Sequence, residues 1–163
     1  MSTLVILLLS FAVLWILNRY VLRNYYALSA VGRLALAIML MFTGAAHFYK
    51  TEEMVQMMSE FLPNKVQLGY LTGVLEILGA AGLVFQRTAQ QVSIALILFF
   101  LVVLPANIIG SIKKVELGGM ENGPGYLYFR IPLQLLFIWW TYYFGIRINK
   151  NASRKVNGTL SRA

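Results

Sequence analysis

Apolar positions run along this chain in five long blocks, separated by short polar or turn-forming stretches. Blocks of about 20 apolar residues are what an α-helix needs to cross a hydrocarbon core of roughly 30 Å. Their boundaries predict helices over Leu4 to Leu22, Ala30 to Tyr49, Val66 to Phe85, Val92 to Ile112 and Leu127 to Ile148. No basic residue precedes the first block, and the nearest small-residue triplet, Ala27 to Ser29, lies beyond Arg19 and Arg23, so the block reads as an uncleaved helix rather than a signal peptide.

Four of the blocks carry a polar stripe. In the third, GVLEILGAAGL at Gly73 to Leu83 holds Glu76 on one helical face with Gly69, Thr72, Gly73, Gly79 and Ala80, while Leu71, Val74, Leu75, Leu78 and Phe85 fall elsewhere. Small residues at this spacing let helix backbones approach closely, so Glu76 is expected to face protein rather than lipid. A charge at mid-bilayer costs roughly 2.5 to 3.5 kcal/mol on insertion scales, so it is expected to be paired, protonated or functional. In the second block His47 shares a face with Leu40, Thr43 and Gly44, and in the last Arg130 begins a stripe with Gln134 and Thr141. In the fourth, Asn107 follows Pro105, whose missing N–H leaves the Leu101 carbonyl without its helical partner. Pro105 and Pro132 could open their helices to a ligand, and Pro132 is read equally well as a tolerated first-turn proline.

Two connections have patterns of their own. TEEMVQMMSEFLP, residues 51–63, has a capping threonine, two acids in its first turn and apolar Met54, Met57, Met58, Phe61 and Leu62 at helical spacing. It predicts a short amphipathic helix lying on the membrane. KKVELGGMENGPG, with Gly118, Gly119, Gly123, Pro124 and Gly125, predicts a loop.

Composition agrees with a membrane protein: 59% of the 163 residues are hydrophobic and 12% charged. The net charge of +8 sits at the ends of apolar runs and in the tail, so it points to orientation in the membrane and not to nucleic acid. Nine basic residues, among them Arg19, Arg87 and Arg147, fall on one side, and only Lys50, Lys65, Lys113 and Lys114 on the other. The positive-inside rule then puts the N-terminus outside and the C-terminus in the cytoplasm. The divisions implied are an N-terminal helix and cytoplasmic loop over 1–29, a helical domain over 30–148, and a basic, disordered tail over 149–163.

With no cysteine there is no disulfide, thiolate metal site or thiol relay, so a redox role requires a bound cofactor or a partner. There is no aspartate and one histidine, which leaves Glu76, His47 and Arg130 as the ionisable groups deep in apolar runs. At 1.5 Å per residue His47, Asn107 and Arg130 lie within roughly 10 Å of the outer surface, with Gln134 a little deeper and Glu76 near the midplane. The expected site is a polar cavity open to the outer face, lined by His47, Thr72, Glu76, Asn107, Arg130 and Gln134. An Arg130–Glu76 pair bridged by Gln134 or water would neutralise both charges, with Asn107 and His47 filling the remaining hydrogen-bond valences. Unpaired and protonated, Glu76 is instead an acid able to pass a proton to a bound quinone or substrate. Met54, Met57 and Met58 with His47 are soft ligands, but an amphipathic apolar face explains the methionines equally, and no metal is assigned.

FTGAAHF at Phe42 to Phe48, GVLEILGAAGL, LPANI at Leu104 to Ile108 and RIPLQLLFIWW at Arg130 to Trp140, in that order, resemble the DoxX family of small bacterial membrane proteins. The resemblance covers the last four blocks and implies an all-α, four-helix transmembrane bundle, with Leu4 to Leu22 as an added span, five in total. It also implies a bacterial inner-membrane location and association with membrane oxidoreductases, some of which handle thiosulfate and quinone. An animal branch is similar and acts in receptor assembly. The cysteine pairs of the thiol-active relatives are missing here, so disulfide chemistry does not carry over. The expected role is binding of a quinone or other lipid-like molecule, with no intrinsic cofactor, beside other membrane redox proteins and with homo-oligomerisation open. The alternative is an assembly or interaction factor whose polar cluster only holds its helices together.

Overall fold

The computed structural model describes residues 2–58, 63–116 and 119–148, with the side chain of Met57 left aside. The expectations for Phe61, Leu62, Gly118 and the tail over 149–163 lie outside these residues. Every regular element among the described residues is helical: α1 Ser2–Ile16, α2 Leu28–Tyr49, α3 Thr51–Met57, α4 Lys65–Val84, α5 Ala89–Ile112 and α6 Leu127–Tyr142. π-helical turns, Leu17–Val21 and Tyr143–Arg147, extend α1 and α6. Four helical stretches, Ser2–Val21, Leu28–Tyr49, Lys65–Val84 and Ala89–Ile112, are long and apolar enough to cross a membrane. The fifth predicted block is helical but not among those four, because Arg130, Pro132 and Gln134 dilute its apolar residues.

The hub of the bundle is α2. Over Val31 to Leu40 it is buried nearly all round, with consecutive Val31, Gly32 and Arg33 and then Ala35, Leu36 and Ala37 inside, as a helix with neighbours on several sides requires. It lies closest to α4 and also packs on α1 and α6, while α5 sits between α4 and α6. The face predicted for α4 is the one that is buried: Gly69, Gly73, Glu76, Gly79, Ala80 and Leu83 turn inward. Leu71, Val74, Leu75, Leu78 and Phe85 are exposed, as lipid-facing residues are. On α1 only Leu7 is buried, so this helix rests on the bundle along a narrow seam. Asn18 then ties off the chain reversal into α2, its Nδ2 donating to the Tyr26 carbonyl at 2.9 Å and its Oδ1 accepting from the Tyr26 N–H at 3.0 Å.

The end of the bundle at which α2 starts is solid. Phe11 of α1 meets Trp140 edge-on at 5.1 Å and Phe144 at 5.6 Å. The Phe144 ring lies directly against Gly32, where any Cβ would collide with it, and Trp140 Nε1 donates to the Gly32 carbonyl at 3.0 Å. Ser93 packs against Gly145 and donates to the Ala89 carbonyl at 2.7 Å.

Three expectations need correcting. The amphipathic helix ends at Met57, and Thr51 is its first residue rather than its cap: its hydroxyl donates backward to the His47 carbonyl at 2.8 Å, where α2 has run out of amide donors. The glycine-rich connection is not irregular throughout, since Met120–Tyr126 forms 3₁₀ turns. Gly119 at φ 108° and Gly123 at φ 74° supply left-handed kinks at its start and middle, and Met120 and Tyr126 tuck under it beside Val115. Pro132 falls inside α6, a turn past its start.

Candidate functional site

Two glycines set the geometry. A Cβ on Gly73 would come within 3.0 Å of the Gly44 carbonyl oxygen, and one on Gly44 within 3.0 Å of the Gly73 oxygen. So α2 and α4 cross with their backbones in contact, and the first long side chains beyond the crossing meet. His47 from α2 lands between Thr72 and Glu76 of α4: Nδ1 is 3.0 Å from Thr72 Oγ1 and Nε2 is 3.7 Å from Glu76 Oε1.

Thr72 Oγ1 also lies 2.7 Å from the Gly69 carbonyl oxygen, so its hydroxyl sits between that carbonyl and the His47 ring and joins α4 to the end of α2.

A second pairing joins α5 and α6. Arg130 Nη2 donates to Asn107 Oδ1 at 2.9 Å, and the guanidinium is also hydrogen-bonded to Tyr126. Gln134 Nε2 donates to the Phe100 carbonyl at 2.8 Å. That carbonyl lies one residue before the Leu101 oxygen whose helical donor Pro105 removes. The pairing therefore differs from the expected one. Glu76 lies nearest His47, Arg130 donates to Asn107, and Gln134 turns to the Phe100 carbonyl, while Arg130 and Glu76 still interact electrostatically without a direct hydrogen bond.

All six predicted polar residues nevertheless border one cavity of about 340 Å³. Its walls are mostly apolar, with Met39, Phe42, Phe99, Phe100, Val103 and Phe137, and Thr43 adds a hydroxyl. Lys50, Met54, Met58 and Met120 roof it, and Ser2 and Thr3 from the start of α1 close one side. Sequence reasoning missed Met120, Ser2 and Thr3 as neighbours of the site. The first sits in a turn without periodicity and the others at a helix start, so no local signal marks them.

The cavity holds unspent hydrogen-bonding capacity. Glu76 Oε2, Asn107 Nδ2 and Arg130 Nε are buried without a hydrogen-bond partner. Glu76 is 7% exposed and Asn107 2%. A buried polar atom left dry costs about 1–3 kcal/mol, so three of them in residues that border one cavity are an unmet demand for hydrogen bonds. Among the described residues no group of three His, Cys, Asp or Glu is placed to hold a metal ion.

No curated protein and no solved structure matches the chain. A family model described as a domain of unknown function (DUF8561) matches residues 36–145, a stretch that contains all six polar residues of the cavity and leaves α1 outside. That match spans well over half of the 163 residues, and the chain belongs to the DUF8561 family.

Proposed function

We propose that this protein binds a quinone or another lipid-like molecule in the cavity, as a component of a membrane oxidoreductase system. In this reading α6 is a fifth span, the four helices α2, α4, α5 and α6 form a DoxX-like transmembrane core, and the cavity opens toward the outer face of a bacterial inner membrane. The sequence motifs and the distribution of basic residues support that arrangement. The observation that carries the reading is the convergence of His47, Thr72, Glu76, Asn107, Arg130 and Gln134 on one mostly apolar cavity, three of them with a buried polar atom that lacks a partner. Ligand sites are of this kind: roughly 300–1,000 Å³, mostly apolar, with a few convergent polar groups. At about 340 Å³ the space suits one head group and the start of a tail, with the exposed rim at Phe42 leading toward lipid.

Protein purified in mild detergent is expected to retain a hydrophobic molecule, visible by mass spectrometry of an organic extract. Arg130→Ala is expected to lose that molecule while the protein still unfolds cooperatively on heating. Wild-type protein free of any such molecule after gentle extraction would contradict the proposal.

One observation favours a second reading. Both the His47–Thr72 and the Arg130–Asn107 bonds tie neighbouring helices together, as a purely structural cluster would in an assembly or interaction factor. Under that reading Arg130→Ala lowers thermal stability and abolishes co-purification of a protein partner together, with no small molecule involved.

A further inference from the structure

We infer that the molecule this cavity takes is a single-chain lipid acid, its carboxylate held by Arg130 at the wall and by Lys50 at the roof. The assignment rests on the reading of the cavity as a lipid site and deepens it by naming the head group, an acid rather than the neutral ring of a quinone.

Arg130 is a cation set into a mostly apolar wall, and its partners orient it without neutralising it. Its Nη2 donates to Asn107 Oδ1 at 2.9 Å and the guanidinium is hydrogen-bonded to Tyr126, so an amide and a phenol hold it in place. No carboxylate among the described residues forms an ion pair with it. Glu76 attracts it only from beyond ion-pair distance, and the close neighbour of Glu76 is His47, 3.7 Å away. Taking a guanidinium out of water is costly unless an anion comes with it. One that is oriented by an amide and a phenol keeps its charge and its fork of donors for an anion from outside the chain.

Lys50 adds a second positive charge. It stands just beyond the end of α2, is exposed, borders the same cavity and makes no ion pair with a described residue. Glu52 and Glu53, the acids in the first turn of α3, do not border the cavity. Among the described residues the wall therefore sets two cations, Lys50 and Arg130, against the single carboxylate of Glu76. One monovalent anion balances them, and a charged His47 would only add to the excess.

The rest of the wall suits an alkyl chain. Met39, Phe42, Phe99, Phe100, Val103 and Phe137 give the tail an apolar surface, and the exposed Phe42 leads it toward lipid. At about 340 Å³ the space admits a small head and the first part of one chain. A carboxylate is compact and pairs with a guanidinium through two parallel hydrogen bonds. The phosphate of a phospholipid brings a glycerol backbone and a second chain with it.

The test is displacement of tritiated palmitate from the full chain in phosphatidylcholine nanodiscs at about pH 8.5, where a carboxyl is ionised, with protein-free nanodiscs as background. Direct binding of decylubiquinone is measured alongside. Palmitate is expected to compete about tenfold or more better than methyl palmitate, hexadecanol or decylubiquinone, which are apolar but carry no charge. Arg130→Gln, which keeps a donor for Asn107 and removes the charge, is expected to erase that preference, and Arg130→Lys to restore part of it. Should neither fold, Lys50→Gln, at an exposed position, is expected to weaken palmitate by about two- to threefold and to leave decylubiquinone unchanged. Decylubiquinone binding as tightly as palmitate, or binding where palmitate does not, overturns the inference and leaves the lipid-site reading intact. Palmitate binding that is equal in wild-type protein and in the folded charge-removing variants also overturns it. Full displacement of palmitate by nanodiscs containing phosphatidylglycerol overturns the carboxylate in favour of a phosphate head. Failure of both palmitate and decylubiquinone to bind wild-type protein overturns the lipid-site reading itself, and the inference with it.

Discussion

The two ends of this bundle are built from the same helices and reach opposite outcomes. Where α2 begins, aromatic rings fill the space between helices: Trp140 and Phe144 lie against Gly32, Phe11 closes over them, and the polar groups of Ser93, Thr141 and Trp140 each donate to a backbone carbonyl. Where α2 ends, the same four core helices spread around a cavity, and Glu76, Asn107 and Arg130 keep atoms without partners. In lipid, where no hydrophobic force drives helices together, close packing and interhelical hydrogen bonds carry association. The solid end supplies that packing. The open end is then free to hold polar atoms at a cost that a bound molecule can offset.

The contrast makes its largest prediction at the solid end. Trp140→Ala removes the ring between α1, α2 and α6 together with the hydrogen bond to Gly32, and is expected to lower stability by about 3–5 kcal/mol, measured by thermal unfolding in detergent. If it is tolerated as well as a substitution at the cavity rim, the distinction between the two ends fails.

Next is the crossing that joins them. Gly73→Ala puts a methyl group against the Gly44 carbonyl and the His47 Cβ, so α2 and α4 must part. An overpacking cost of about 1–3 kcal/mol is expected, with a loss of retained ligand out of proportion to it, because His47 is drawn away from Thr72 and Glu76. Stability loss with ligand fully retained would show that the crossing does not position the site.

The smallest expected effect on stability lies in the cavity wall. Ala106→Leu adds carbon where space already exists, so stability is expected to hold or to rise by up to about 1 kcal/mol while ligand is lost. A marked destabilisation would mean that the cavity is not open space in the folded protein.

How much of this was legible in the sequence varies by element. The buried stripe of α4 was, because Gly69, Gly73, Gly79 and Ala80 are small residues at helical spacing in a run with no other reason for them. The six polar residues of the cavity were too, each standing out from apolar neighbours at a similar depth. Their pairing was not. Whether Glu76 meets His47 or Arg130 depends on how far each helix is rotated and how closely two of them cross, and the Gly44–Gly73 contact decides it in favour of His47. The ordered turn at Met120–Tyr126 was hidden as well, since glycines that signal a loop also permit the left-handed kinks that shape this one. The seam of α1, carried by Leu7 and Phe11, looks in sequence like any lipid-facing face.

The most direct measurement of the central claim is a structure determined from lipid or mild detergent at a resolution that shows the contents of the cavity. The account predicts elongated density between α2, α4, α5 and α6, with a compact polar head beside Arg130, Asn107 and Glu76 and an apolar tail leaving past Phe42. Ordered water alone beside those three residues, or Glu76 turned into a direct ion pair with Arg130 across a collapsed cavity, would contradict it.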